Sequence, residues 1–342
     1  MNTAMLDDVS LIALLVAMGL YAAAFIAFAL DLARRSALVA DAATAAARQP
    51  SAVGATAARR GAGTTTIERE PAASGRDRVA AGPDAPVAAG RSLSLNVAMV
   101  LLVLGFAVHA VSTVLRGLAA SRVPWANMYE FAMTGTLLIL SVYLIVLTRR
   151  DLRFLGTFVT GLVLILLGVA VVQYRVEVAP LPPSLQSYWL VIHVFVAALG
   201  TGFFALAFAL SGVQLLQFRR ESLAADAKAV RMRFLATLPD SVTLESMAYR
   251  LNIVGFIFWT FTLMAGAIWA ERAWGRYWGW DTKEVWTFII WVLYAGYIHA
   301  RATRGWRGSR SAWLAIIGFS AVMFNFGVVN VFFKGLHTYS GL

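Results

Sequence analysis

The chain has 342 residues, of which 60% are hydrophobic and 14% charged, and it carries a net charge of +11. That balance excludes a soluble domain built on one core and defines a membrane protein, with the surplus Arg and Lys expected on one membrane side rather than on nucleic acid. It contains no cysteine, so disulfides, iron–sulfur ligation and thiolate chemistry by its own residues are excluded.

A membrane-crossing helix needs about 20 mostly apolar residues. The first such run is Leu11 to Leu30. Asp7 and Asp8 precede it where a cleavable signal has basic residues, and no small-residue cleavage site follows, so residues 1–30 are expected to remain as the first span. Residues 31–93 are rich in Ala, Gly, Arg and Pro, with almost no aromatics, and read as a disordered cytoplasmic linker. Residues 94–342 read as one membrane domain with seven further spans. These are Leu95 to Leu115, Phe131 to Leu147, Phe154 to Val172, Tyr188 to Leu216, Leu251 to Ala270, Val285 to Ala300 and Trp313 to Phe333. The predicted fold is all-α and polytopic, with about eight transmembrane helices.

Basic residues sort by side. Arg34 and Arg35, Arg149 with Arg150 and Arg153, Arg219 with Arg220, Arg231 and Arg233, and the Arg301 to Arg310 set all follow odd-numbered spans. The positive-inside rule then places those connections in the cytoplasm and both termini outside. The even connections also face outward, including residues 269–291.

That last connection holds six of the eleven tryptophans, Trp269 to Trp291, and reads W-G-x-x-W-x-W-D-x-K-E-x-W from Trp274. Interfacial belts use tryptophan too. Six rings spaced by glycines better suit the wall of a flat aromatic pocket for a large planar ligand. Four histidines accompany it: His109, His193, His299 and His337. Ionisable groups in spans are functional candidates, and histidine is the usual axial ligand of haem iron. His193 and His337 fall at the outer ends of spans five and eight, beside the tryptophans, and can supply two axial ligands. Singly, each also fits an interfacial histidine bonded to backbone or water. His299 lies at the inner end of span seven, too far to join them. His109, in the outer part of span two, reads as a ligand of a third site or, at least as readily, as a buried polar residue bonded between helices.

Around the pocket, Arg272, Arg276 and Lys283, with Arg122 further off, are candidates for holding haem propionates. Local ion pairs with Glu271 and Glu284 are the competing assignment. Asp281 reads first as the cap of helix seven, and otherwise as a residue that orients a ligand.

The tryptophan run, S-Y-W-L-V-I-H ending at His193, G-L-H-T-Y around His337 and P-W-A-N-M-Y-E from Pro124 to Glu130 resemble the haem-handling WWD superfamily of cytochrome c maturation proteins. More narrowly, the chain from about Trp125 onward resembles the CcsA/ResC (CcsB) type of System II. The family usually has proline where Thr282 stands. The resemblance implies b-type haem bound non-covalently, with His193 and His337 as external ligands. His299 would ligate a second haem together with a partner subunit. Trp274, Trp278, Trp280, Asp281 and Arg276 would form the cofactor site, with Asn127 and Glu130 in support. It also implies a bacterial plasma-membrane location, a ResB/Ccs1-type partner, apocytochrome c C-x-x-C-H segments as acceptors, and thiol-reducing proteins acting indirectly. Competing functions are haem delivery without ligation, a haem-containing anchor of an oxidoreductase, and a cofactor-free transporter.

Overall fold

The computed structural model describes residues 2–48, 92–224, 234–303 and 305–337. Eight long helices occur among them: α1 Thr3–Arg48, α2 Leu93–Ala120, α3 Met128–Leu147, α4 Gly156–Gln173, α5 Tyr188–Ala224, α6 Ser241–Trp274, α7 Thr282–Thr303 and α8 Ser309–Phe324. A π-helical turn, Asn325–Val329, and a last helical turn, Asn330–Phe332, extend α8. Helices dominate because hydrocarbon offers no hydrogen bonds, and a helix satisfies its backbone internally.

Seven of these helices are long and apolar enough to cross a membrane. The exception is α7, the expected seventh span. Its 22 residues are long enough, but Lys283, Glu284, His299 and the Trp, Tyr and Thr residues along it lower its apolarity. It packs between α6 and α8 as part of the same bundle. A second difference concerns residues 31–48, expected to be disordered. They continue α1 to Arg48. Asp31 explains the start of this extension: it is buried, pairs with Arg35 at 2.7 Å and accepts from Ser92 at the start of α2. The rest of the expected linker, 49–91, and Arg231 and Arg233 lie outside the described residues.

Helices α1 and α2 form an antiparallel pair with a strict seam. Ser10, Leu14, Ala17, Tyr21, Ala24 and Phe28 are buried on α1, and Leu95, Ala98, Leu102, Gly105, His109, Ser112 and Arg116 on α2. These positions alternate steps of three and four, the knobs-into-holes spacing. Polar bridges cross the seam as well: Ser10 Oγ donates to the Ser112 carbonyl at 2.8 Å, Ser112 Oγ donates to the Ser10 carbonyl at 2.7 Å, and Tyr21 bonds His109 Nδ1 at 3.2 Å. His109 is thus the inter-helix polar residue of the two assignments open for it.

The second tight pair is α5 with α6, and α5 also packs on α3, α4 and α8. Its contact with α7 is an aromatic stack, Phe204 on Tyr294 at 3.6 Å and 4°. Gly255 and Gly318 make room for those two rings: a Cβ on Gly255 would lie 2.7 Å from Phe204, and one on Gly318 2.9 Å from Tyr294. Small residues facing large ones are the usual device for close helix contact in lipid.

One buried ion network ties the pairs together. Arg116 is fully buried and donates to Asp7 at 2.5 Å, to Glu130 at 3.0 Å and to the Val176 carbonyl at 2.9 Å. Glu130, equally buried, also accepts from Arg122 at 2.6 Å and from the Ala126 amide at 3.0 Å. The start of α1, the α2–α3 connection and the α4–α5 connection therefore meet at one end of the bundle. The tryptophan-rich connection lies at that same end, since Lys283 bonds Asn330 and Asn330 bonds Met128.

Candidate haem site at the tryptophan-rich end

A small cluster of Leu185, Leu190, Val194 and Trp269, flanked by Trp125, Trp189 and Trp274, forms the floor of this end. Trp269 is its centre. It is buried, and its indole N–H donates to the Ser184 carbonyl at 3.0 Å, which fixes the ring. His193 stacks on it with centroids 5.8 Å apart, and His337 meets it edge-on at 5.4 Å. Trp274 closes the third side, 4.8 Å from Trp269 and 4.7 Å from His337.

His193 stands in the second turn of α5 and points at α6. The Thr262 carbonyl lies 3.0 Å from its Nδ1. A carbonyl only accepts, so Nδ1 carries the proton and Nε2 keeps its lone pair. Gly266 permits this approach: a Cβ there would sit 2.7 Å from the imidazole. His337 is fixed in the same way by a stronger acceptor, with Nδ1 2.5 Å from Asp281 Oδ2. That hydrogen bond, against the opposing effect of burial, holds the Asp281 carboxyl below the usual carboxylate range. Both rings thus have Nδ1 engaged, and both line the same two cavities. This second partner on each ring is the arrangement that orients metal-ligating histidines.

The tryptophan loop turns on two left-handed residues, Gly275 at φ 72° and Trp280 at φ 58°. Glycine adopts that region freely, whereas a tryptophan there costs roughly 1–2 kcal/mol. Glu284 supports the strained turn by accepting from the Gly279 amide at 2.8 Å and the Asp281 amide at 3.0 Å. The result faces outward: Trp278 is part-exposed and Trp280 is 77% exposed.

The larger cavity has an empty volume of about 1210 Å³, counted to its open mouth, and runs from the two histidines down between α3, α5 and α8. The smaller, about 490 Å³, lies on the loop side and is lined by Gly266, Tyr277 and Trp278 with both histidines.

The structure thus brings together His193, His337, Trp274 and Asp281, with Trp278 at the rim. Trp280 meets the site through Trp278, 5.8 Å away. Arg276 is exposed and donates to the Gly279 carbonyl at 3.4 Å. His299 sits exposed near the far end of α7, roughly 27 Å from Asp281 along the helix. Asp281 stands at the cap position of α7, where its carbonyl accepts from the Val285 amide at 3.0 Å and Glu284 accepts from its own amide, and its carboxylate also serves His337, the other role open for it. Of the propionate candidates, Arg122 is committed to Glu130 and Arg272 pairs with Glu271 at 3.5 Å. Lys283 alone lines the large cavity. Sequence reasoning missed Thr262, Gly266, Asn325 and Asn330. The asparagines had a signal, as two amides in an otherwise apolar span; the glycine and the carbonyl had none.

Residues 125–337, more than half the chain, match the family model described as cytochrome C assembly protein. The chain belongs to that family and is a multi-pass membrane protein of cytochrome c maturation. Within it, the similarity is to the CcsA-type proteins of System II. The cytochrome c biogenesis protein CcsA of Guillardia theta is 35% identical over 245 residues, covering 66% of this chain and 80% of its own. That of Prochlorococcus marinus is 30% identical over 271 residues, covering 73% and 86%. Among solved structures, the cytochrome c heme lyase CcmF aligns with a TM-score of 0.58 at 15% identity, over 100% of this chain. The chain spans 50% of that protein's length, and the likeness shows the fold alone.

Proposed function

We propose that this protein binds haem at the external membrane face, between His193 and His337, and presents it for covalent attachment to apocytochrome c. It would act as the haem-binding subunit of a cytochrome c synthase in the bacterial plasma membrane, beside a ResB/Ccs1-type partner. The observation that carries this is the matched pair of imidazoles: each has its Nδ1 engaged by a fixed acceptor, Thr262 O or Asp281 Oδ2, at the wall of one shared cavity. Neutral imidazole with a defined tautomer is what axial ligation to b-type haem requires.

The chain's residues would bind and orient; none needs to be a nucleophile. Bound haem would supply the vinyl groups to which C-x-x-C-H thiols add, with ferrous iron. Trp269 and Trp274 hold His337 in place, and the exposed Trp278 and Trp280 form a rim on which an extended peptide can lie. With no cysteine in the chain, reduced thiols come from the cytochrome, kept so by separate thiol-reducing proteins. His299, exposed near the basic end of the bundle, suits the second haem site that the family resemblance assigns to it with a partner's ligand.

The test is an absorption spectrum of the purified protein, co-expressed with its neighbouring subunit. His193→Ala with His337→Ala is expected to lose or strongly weaken the haem band, and added imidazole to restore it. An unchanged spectrum would remove both residues as ligands.

A further inference from the structure

A polar group lies in the large cavity on the membrane side of the histidine pair. Its origin is the break in α8. The π-turn Asn325–Val329 widens the helix by one residue, and such turns concentrate at functional sites. Here it directs two amides, Asn325 and Asn330, at the wall formed by Lys283 and Thr287 on α7. Lys283 Nζ donates to Asn330 Oδ1, a neutral acceptor. The Asn330 amide nitrogen rests on the Met128 sulfur at 3.1 Å, a weak acceptor. The Asn325 amide nitrogen reaches Thr287 Oγ1 only at 3.5 Å, and its Oδ1 has no partner although the residue is 5% exposed. The rest of the lining is mostly apolar, with Phe131, Ile139, Val322 and Phe326, and its other polar side chains there, such as Thr136, are neutral. An ammonium in such surroundings is costly unless an anion joins it. A planar anion would meet the ammonium there, with the amide groups of Asn330 and Asn325, each held only by weak partners on its nitrogen, beside it.

The chemistry of attachment says which anion. Thiols add at the vinyl groups, so that edge of the ring must face the incoming peptide at the rim of Trp278 and Trp280. The two propionates are carried on the other edge and must then point into the bundle. We propose that Lys283, with Asn330 and Asn325, is the receptor for a haem propionate, so that the ring enters carboxylate edge first. These are positioning residues: they set which edge is offered. The inference rests on the haem-binding reading above.

The experiment titrates the full-length, haem-stripped protein with ferric haem and with ferric haem dimethyl ester, whose propionates are neutral, and follows both by absorption. Wild type is expected to bind the free acid about tenfold or more tightly than the ester, the scale of one buried charge-assisted hydrogen bond. Lys283→Gln is expected to bind the two alike, near the ester's wild-type affinity, and Lys283→Arg to recover part of the preference. Should Lys283→Gln misfold, Asn325→Leu, which removes only an amide, is expected to narrow the gap by severalfold. Equal binding of both haems by wild type, or a preference that survives Lys283→Gln, would overturn the receptor and leave the histidine pair standing. If wild type binds neither haem, both readings fall.

Discussion

A neutral imidazole has one N–H, and whatever accepts from it decides which nitrogen is left to bind a metal. At His193 that acceptor is a backbone carbonyl reached across Gly266; at His337 it is the Asp281 carboxylate. Two predictions follow at this scale. Gly266→Ala places a methyl 2.7 Å from the His193 ring, so haem content should fall sharply. The clash costs about 1–3 kcal/mol of overpacking, which the roughly 1 kcal/mol gained by removing a helix-interior glycine offsets in part, so the melting temperature should fall only slightly. Thermal melts beside haem-to-protein ratios check this, and a large fall in both would mean the substitution simply damages the fold. Asp281→Asn keeps the shape of the side chain but removes the charge. It should weaken haem retention by about tenfold to a hundredfold, measured by competition with imidazole, and leave the melt largely unchanged.

At the scale of elements, the N-terminal hairpin packs on α4 through the apolar face of α1 and is joined to the site's end of the bundle by ions. Arg116 on α2 holds Asp7 on α1, Glu130 at the start of α3 and the carbonyl of Val176. Glu130 in turn fixes the amide of Ala126, next to Trp125 in the cavity wall. Removing one partner of a buried ion pair leaves an uncompensated charge, so Arg116→Met should lower stability by about 3–5 kcal/mol. Arg116→Lys keeps the charge but not the planar fork and should recover part of that loss. Denaturant titration in detergent reads both. If Arg116→Met unfolds with the wild type, the network is decoration. Residues 121–127 and the tryptophan loop share a device: each is a connection whose shape is set by one carboxylate, Glu130 or Glu284, accepting backbone amides.

Over the whole molecule, the start of α1, the connections after α2, α4 and α6, and His337 gather at one end, while the arginine-rich turns gather at the other. Orientation in the membrane follows from the distribution of charge. The absence of cysteine makes it measurable on the native background. Tyr277→Cys should react with a membrane-impermeant maleimide added to intact cells, and Arg150→Cys only after the membrane is opened. The opposite pattern would invert the topology and put the histidine pair in the cytoplasm. The family match begins at residue 125, so the α1–α2 hairpin lies outside it, yet through Arg116 it braces Glu130 inside the matched region.

The sequence by itself determined the class of the protein. Runs of about 20 apolar residues, and arginines confined to alternate connections, report on lipid and on charge, and both act on local composition. It also supplied the site's vocabulary, because six tryptophans and two histidines at one membrane face are rare enough to be read without coordinates. Residues 31–48 and α7 were read less well. A composition poor in aromatics hid the helix that Asp31 anchors, and a span rich in Trp, Tyr and Thr is held by its neighbours more than by lipid. Only the tertiary structure decided that the Asp281 carboxylate reaches His337, that Gly266 opens a path to the Thr262 carbonyl, and that Lys283 faces two asparagines at and just after a π-turn in α8. Each of these joins residues tens of positions apart. Hydrogen-bond partners of that kind are chosen by which helices lie side by side, and local pattern carries no record of it.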